Sequence, residues 1–340
     1  MTYPIGKILS GDENRIRAAQ ELFNQQQVDA ERLHAGTYPY SSRRTTLAGC
    51  CTVTGPGTFH GKALRPLTFK PSDSPGWWIE RTDLFEQLPT LVSVRNVWTT
   101  ARNIVLRSGN PHNYLRMVEH IIALRLGLGL DDAVVSVSSG DPPLFVDSSL
   151  PLLGAVNKAR VIETDQPAVF VTVKEPVTIG GDRGDFITLL PAEKGQKLLR
   201  MDCAISWNSV IGKQRIRFDV TPETFAYGAA ARTNASKAQM LYCRTFGKLF
   251  ADTRNLGYTE KNILIHGRDS YHNEPLLIQP DGRTLEPVWH RAVLDLLAAV
   301  ALIDTGRFVG TIISYRAGHA LDVRLMIQLY MNNLLKPIND

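Results

Sequence analysis

An adjacent glutamate and histidine, Glu119 and His120, stand at the front of an apolar stretch, RMVEHIIALRLGLGLDD, which covers residues 116–132. A carboxylate can take a proton from water and an imidazole can bind zinc, so the pair is compatible with metal-assisted hydrolysis. A catalytic zinc ion usually has three protein ligands, and one imidazole cannot hold it. Taken alone, the pair therefore favours a simpler interpretation, two polar residues at the start of a buried helix.

Further ligands are available in the segment EPVWHRAVLDLLAAVAL, where Pro287 can start a helix that carries His290 and Asp295. Five positions on a regular α-helix turn the two side chains about 140° apart, whereas a spacing of four keeps them on one face. Either the helix contains an extra residue, as a π-bulge provides, or His290 lies on an irregular first turn. Spacing alone favours a histidine in a first turn and a solvated aspartate.

Two more segments carry polar groups of interest. In YRAGHALD, His319 follows a glycine between a predicted strand and a predicted helix. The positive end of a helix favours negative charge, so His319 could stabilise a reacting anion, or it could be a cap or surface residue. In LYCRTFGKL, Thr245 offers a hydroxyl between Arg244 and Phe246, although alone this is an ordinary mixed segment.

The elements that must position these residues follow from hydrophobic periodicity. Helical spacing predicts helices over about 12–35, 113–127 and 287–303 and in the C-terminal ALDVRLMIQLYMNNLL, and alternation predicts strands in the segments between them. Both halves of the chain run from strands to a helix to a strand. This order indicates α+β units rather than a parallel doubly wound sheet.

Composition limits the classes of ligand and compartment. The net charge is +5, but the basic residues are scattered, which favours a small anionic ligand over nucleic acid. The four cysteines form no C-x-x-C pair and are typical of reduced thiols. The N-terminus lacks a secretory apolar core, and no apolar stretch reaches the roughly 18 residues of a membrane span. We therefore expect a cytoplasmic protein, with contact at a membrane surface left open.

In their order and spacing, several segments resemble the zinc-dependent UDP-3-O-acyl-N-acetylglucosamine deacetylases, which act in lipid A synthesis. The likeness runs from about Thr45 to Leu335. It is carried by TLAGCCTVTGPGTFHGKALRPLTFKP, WWIERTDL, VEHIIALRLGLGLDDAVVSVSSGDPPLFVDSS, FDVTPETF, CRTFG and SYRAGHALDVRL. The resemblance implies two similar α+β domains, each a β-sheet packed with α-helices, with the active site between them. The expected divisions are an N-terminal helical extension over 1–42, a first domain over 43–160 and a second over 161–340.

The resemblance also implies a Zn²⁺ cofactor and its ligands. His120 matches the first zinc-binding histidine of the family and Asp295 the carboxylate ligand, and His290 is the nearest candidate for the second histidine. The family pattern places that histidine four residues before the aspartate, where this chain has Arg291. Arg291 is then expected to bind the diphosphate of the substrate, as a nearby basic residue does in the family.

Catalytic roles follow from the same resemblance. Glu119 matches the general base, His319 the second catalytic histidine, and Thr245 the hydroxyl that helps to stabilise the oxyanion, with Phe246 beside the substrate. The family also has an aspartate that orients its catalytic histidine one helical turn after the metal-binding aspartate. Here that position is Ala299, or Ala298 in the other register.

The implied substrate is a UDP-linked acylated amino sugar, from which a metal-dependent amide hydrolase removes the N-acetyl group. Two other functions remain open on the sequence. One is a non-catalytic paralogue that binds a nucleotide sugar or an acyl ligand. The other is an assembly subunit that contacts a protein partner through the 12–35 helix, which lies outside the resemblance.

Overall fold

The computed structural model describes residues 3–61, 63–245 and 257–338. The α-helices are α1 Glu13–Gln25, α2 Glu119–Gly127, α3 Leu150–Ala159, α4 Pro222–Ala229, α5 Lys237–Arg244, α6 Glu286–His290, α7 Leu297–Val300 and α8 His319–Met331. A 3-10 turn covers Val94–Asn96, and a π-helix covers Arg291–Leu296 between α6 and α7. Among these described helices, none is long and apolar enough to cross a membrane.

Strands of the N-terminal half are β1 Lys7–Ser10, β2 Ala30–Arg32, β3 Arg43–Leu47, β4 Cys51–Pro56, β5 Leu64–Lys70, β6 Trp77–Arg81, β7 Thr90–Leu91, β8 Val97–Thr99, β9 Val105–Arg107, β10 Tyr114–Leu115 and β11 Ala133–Val137. Those of the C-terminal half are β12 Val161–Pro167, β13 Phe170–Val173, β14 Val177–Gly180, β15 Phe186–Leu190, β16 Leu199–Ser206, β17 Lys213–Asp219, β18 Asn234–Ser236, β19 Leu264–His266, β20 Arg307–Phe308, β21 Gly310–Tyr315 and β22 Leu335–Ile338.

Two larger sheets repeat one topology. The first has the order β4-β5-β11-β6-β7, and the second has the order β1-β14-β15-β21-β16-β17-β2. In the first sheet, β11 pairs parallel with β6 and antiparallel with β5; in the second, β21 pairs parallel with β16 and antiparallel with β15. The predicted α+β class, with two similar halves, is confirmed.

One hydrophobic core extends from the first sheet through the helices to the second. It contains Phe69 and Trp77 from the first sheet, Phe218 from the second, and Trp289 from α6, each almost fully buried. Within it, α2 packs against α7 and the π-helix. The first turn of α2 and the π-helix are thereby held against each other at the centre of the molecule.

The N-terminal segment differs from the predicted helical extension, because it also contributes both edge strands of the second sheet. Helix α1 is amphipathic, and its Ile16, Ala19 and Phe23 are buried. The ring of Phe23 packs edge-on against Phe186 and Tyr315, at centroid distances of 5.9 and 6.1 Å. The segment is therefore part of the second half of the molecule, because its apolar face and edge strands are satisfied there. A partner contact through its exposed face stays a prediction.

Sequence periodicity missed three helices and misplaced one helix start. Helix α4 lies inside a stretch predicted as strand, although Thr221 and Thr224 form a capping box and Pro222 occupies the first turn. Helices α3 and α5 were also not predicted. Helix α2 begins only at Glu119, because Tyr114–Leu115 is a strand paired with β9.

Candidate active site

The stretch from His290 to Asp295 contains the extra residue that a π-helix accommodates. After α6 ends at His290, the amide of Leu297 donates to the carbonyl of Ala292, five residues back. A turn closed over five residues brings side chains with this spacing onto one face. Accordingly, His290 Nδ1 lies 3.6 Å from Asp295 Oδ1. Of the two arrangements that the sequence left open, the bulged helix is confirmed.

His290 also faces the histidine at the start of α2. The Nε2 atoms of His120 and His290 are 3.4 Å apart, and the Thr233 hydroxyl lies 3.3 and 3.0 Å from them. Two nitrogens bound at 2.0–2.1 Å to one tetrahedral zinc ion would be separated by about 3.4 Å. The two imidazoles therefore stand at the separation of a ligand pair.

The protonation of His120 also suits metal binding. Its Nδ1 lies 3.0 Å from Ser149 Oγ, and that hydroxyl has the His120 carbonyl as its own acceptor. Nδ1 therefore carries the hydrogen, which leaves the Nε2 lone pair free. Burial, reinforced by His290, lowers the pKa of His120 to about 3, and burial also lowers the pKa of His290. Both rings are neutral near pH 7, which is the form that binds metal.

Glu119 is a buried carboxylate with one oxygen unused. Its Oε1 accepts a hydrogen bond from the amide of Ile104, and its Oε2 has no hydrogen-bond partner among the described residues. Burial raises the pKa of Glu119 to about 7, although His319 and the amide of Ile104 act in the opposite direction. A carboxylate with this pKa can take up and release a proton near neutrality.

His319, at the first position of α8, lies beside two carboxylates. Its Nε2 is 3.7 Å from both Glu119 Oε1 and Asp295 Oδ1. Burial acts to lower the pKa of His319, but Asp295, Glu119 and Asp322 together raise it above the ordinary value. Burial likewise opposes ionisation of Asp295, but His290, His319 and Arg291 hold its pKa below the ordinary value. The cluster therefore favours a protonated His319 beside an ionised Asp295.

The fit to a metal is good for the histidines and incomplete for the carboxylate. Among the described residues, no group of three or more His, Cys, Asp or Glu side chains is arranged to hold one ion. The reason is visible at His290, whose Nε2 faces His120 while its Nδ1 faces Asp295. The His290 ring therefore lies between the Asp295 carboxylate and the position midway between the two Nε2 atoms, where a shared metal ion would bind. A rotation of its carboxylate or of the His290 ring would be needed to complete a three-ligand set.

These side chains line one cavity of about 240 Å³. Exposed Arg102, Arg316 and Trp207 also line it, so it contains positive charge and an aromatic surface that water can reach. The lining residues are Arg102, Asn103, Met117, Glu119, His120, Ile205, Trp207, Thr233, Asn234, Tyr258, Pro287, His290, Arg291, Asp295, Arg316, Ala317 and His319. A small polar or anionic group suits this lining.

Thr233, rather than Thr245, reaches the histidines. Thr245 is exposed at the end of α5, and its hydroxyl donates to the carbonyl of Leu241 at 2.8 Å, so its own helix uses that hydroxyl. Thr233 follows Arg232 in the segment AARTNA, and this earlier Arg-Thr pair was the signal that the sequence prediction passed over. Phe246 lies outside the described residues.

Arg291 lines the cavity, but its guanidinium is engaged within the protein. Its Nε donates to the carbonyl of Ala317 at 2.8 Å, and its Nη2 pairs with Asp322. The predicted contact of Arg291 with a substrate diphosphate stays a prediction. Arg102 and Arg316, which are exposed, are additional basic residues for such a contact.

Two similar α+β halves with a cluster of histidines and carboxylates between them are typical of a hydrolytic metal site. Comparison with known proteins identifies the family. The family model for UDP-3-O-acyl N-acetylglycosamine deacetylases matches residues 44–331. The chain belongs to this family.

Curated relatives agree with the family match. The UDP-3-O-acyl-N-acetylglucosamine deacetylase of Thermosynechococcus vestitus is 28% identical over 290 residues, which is 84% of this chain and 93% of the relative. The enzyme of that name from Brucella ovis is 25% identical over 287 residues, covering 82% of this chain and 91% of the relative. That of Solibacter usitatus is 26% identical over 215 residues, covering 62% of this chain and 66% of the relative.

Proposed function

We propose that this chain is a zinc-dependent hydrolase that removes the acetyl group from a UDP-3-O-acyl-N-acetylglucosamine-type substrate in lipid A biosynthesis. The observation that carries the proposal is the π-helix, which brings Asp295 beside His290 although their spacing of five does not suit a regular helix. His290 in turn faces His120, which follows Glu119. Membership of the deacetylase family supports the substrate class.

His120, His290 and Asp295 are the residues that would hold the metal. Zinc bound there would supply Lewis acidity, which polarises the amide carbonyl and lowers the pKa of water. Glu119 takes the proton of the attacking water, because its unpartnered Oε2 and its pKa of about 7 suit a general base.

Other side chains stabilise the negative charge that develops after attack by water and supply the proton that the departing amine needs. The Thr233 hydroxyl and protonated His319 stabilise the negative oxygen that develops when water adds to the amide. The departing amine needs a proton, which Glu119 or His319 supplies; both groups line the cavity. Exposed Arg102 and Arg316 attract the diphosphate of the substrate.

We expect this reaction to take place in the cytoplasm. Cys50, Cys51 and Cys203 are free thiols, and Cys50 is exposed, as is usual for proteins of a reducing compartment.

The test is release of acetate from a UDP-3-O-acyl-N-acetylglucosamine by the purified, zinc-loaded protein, followed by mass spectrometry. Glu119→Gln should lower kcat by at least about 100-fold, as loss of a general base typically does, while zinc content stays near one ion per chain. The control is His266→Ala, which removes another buried histidine, outside the cavity lining, and should retain kcat. Binding of the nucleotide sugar without turnover by the zinc-loaded protein would instead favour a non-catalytic binding protein.

A further inference from the structure

Arg232 and Glu286 form a buried ion pair next to the proposed active site. Arg232 precedes Thr233 in the chain, and Glu286 is the first residue of α6, four positions before His290. The Nε and Nη2 atoms of Arg232 lie 2.7 and 3.0 Å from the two carboxylate oxygens of Glu286. Neither side chain lines the cavity. The pair therefore joins the segment that carries the threonine to the helix that carries the histidine.

The carboxylate of Glu286 also holds the neighbouring backbone. Its Oε1 accepts a hydrogen bond from the amide of Arg232 at 2.9 Å, and its Oε2 accepts one from the amide of Leu276 at 2.6 Å. The Nη2 atom of Arg232 donates in addition to the carbonyl of Glu274 at 2.7 Å. Both carboxylate oxygens are thus fully used. The peptide that leads into Thr233 is fixed by a side chain of α6.

The same segment is attached on its other side to the support of the first imidazole. The amide of Ser149 donates to the carbonyl of Ala229 at 3.0 Å, and the Ser149 hydroxyl lies 3.0 Å from His120 Nδ1. Residues 229–233 therefore connect the two parts of the molecule that hold the imidazoles. The Thr233 hydroxyl, at the end of this segment, lies 3.3 and 3.0 Å from the two Nε2 atoms.

Stability alone does not account for this ion pair. Replacing a buried ion pair by apolar side chains of similar volume is often neutral or stabilising, because the cost of removing two charges from water offsets their attraction. An apolar pair cannot supply direction, however, whereas a planar guanidinium binds both oxygens of a carboxylate in one orientation. A hydroxyl that acts on a reacting group needs such support, because its position has to be kept within about 0.5 Å.

We propose that Arg232 and Glu286 are positioning residues for Thr233: their ion pair holds the Thr233 hydroxyl beside His120 and His290, where it stabilises the oxyanion. The effect of the pair on turnover rests on the proposed deacetylase function. Its effect on the position of the hydroxyl does not.

The test removes both charges in the double variant Arg232→Met, Glu286→Leu, because a single substitution to an apolar residue leaves one charge buried and unpaired. Loss of an outer hydrogen-bonding partner typically lowers activity by about 10–100-fold. We expect kcat of the zinc-saturated double variant to fall by this factor, with KM unchanged. In a Thr233→Val background the same two substitutions should cause no further loss of kcat, because the pair acts through that hydroxyl.

The matched control is Arg215→Met, Asp202→Leu, which removes another ion pair with the same side-chain exposures of 6% and 0%. It should leave kcat unchanged, because this pair lies beneath α1. A second variant, Arg232→Lys, keeps the positive charge but replaces the two-pronged contact by a single ammonium group. It should lose part of kcat in the wild-type background and none in the Thr233→Val background, and it decides the question if the double variant does not fold.

Crystal structures of the zinc-free proteins give a readout that does not need activity. In Arg232→Met, Glu286→Leu the Thr233 hydroxyl should leave its position 3.0 Å from His290 Nε2 and lie beyond about 3.5 Å, whereas the control pair should not move it. An unmoved hydroxyl, an unchanged kcat, or losses that add in the Thr233→Val background would each overturn the proposal. If the wild-type protein has no deacetylase activity, the crystal structures decide alone, so the two failures are distinguishable.

Discussion

His120 and His290 are 170 residues apart in the chain, yet their Nε2 atoms lie 3.4 Å apart. One belongs to the first turn of α2 and the other to the end of α6, so each half of the molecule contributes one imidazole. The π-helix then brings Asp295 to the same cluster, because a regular helix would turn its side chain away from His290.

Zinc binding should therefore survive removal of the extra residue. Deleting Ala292 brings His290 and Asp295 to a spacing of four, which a regular α-helix places on one face. We expect the deletion variant to bind zinc as the wild type does, measured by metal analysis after dialysis. Inserting one alanine after Ala292 instead gives a spacing of six and should abolish stoichiometric zinc. Zinc lost from the deletion variant and kept by the insertion variant would contradict the role of the bulge.

Metal binding should depend on both facing histidines and not on a third. His120→Ala and His290→Ala should each lower zinc affinity severely, because one imidazole is a ligand too few. His266→Ala is the control, since this buried histidine lies outside the cavity lining. The measurement is zinc retained per chain in competition with a chelator. Equal retention by all three variants would exclude the proposed ligands.

Of the two Arg-Thr pairs, the first should matter for turnover. Thr233→Val removes the hydroxyl between the imidazoles, and loss of an oxyanion donor typically costs about 10²–10³ in kcat. Thr245→Val is the matched control, because that hydroxyl bonds to its own helix. The comparison is of kcat with saturating substrate. A large loss in Thr245→Val alone would instead support the oxyanion role that the resemblance implies for Thr245.

The free energy of unfolding should depend on pH through Glu119. Burial raises its folded pKa from 4.5 to about 7, so the folded protein binds this proton more tightly than the unfolded chain. The contribution is fully present below pH 4.5 and lost as pH rises through about 7, by about 3 kcal/mol. Glu119→Gln should lack this loss. The measurement is urea unfolding of the zinc-free wild type and of zinc-free Glu119→Gln at pH 5 and pH 8.5. An identical pH dependence of the two free energies of unfolding would contradict this role of Glu119.

Helix α1 should be required for stability. Phe23 is fully buried against the second sheet, so Phe23→Ala should lower the free energy of unfolding by about 3–5 kcal/mol. The adjacent Leu22 is 49% exposed, and Leu22→Ala should change it by less than about 0.5 kcal/mol. Equal stability of the two variants, in urea unfolding, would instead leave α1 available as a partner-binding element.

Local pattern was sufficient where the determinants are local. The apolar periodicity around Glu119 predicted α2, and the alternation of VGTIISYRAG predicted β21. It failed at α4, because a short helix directly after a strand carries too few periodic residues to be distinguished from it. It also could not predict that β1 and β2 take the two edges of the second sheet, since strand order depends on contacts distant in sequence.

By itself, the sequence indicated the α+β class, because periodicity is a local property. Its resemblance to a known family implied the candidate residues Glu119, His120, Asp295 and His319. Only the tertiary structure decided which groups meet. It placed Thr233 beside the two histidines, bonded Thr245 to its own helix, and placed Arg291 on Asp322. It also showed that the helix after His290 is bulged. These outcomes depend on packing between α2, the π-helix and α8, and a packing balance among distant elements leaves no periodic signal in the chain.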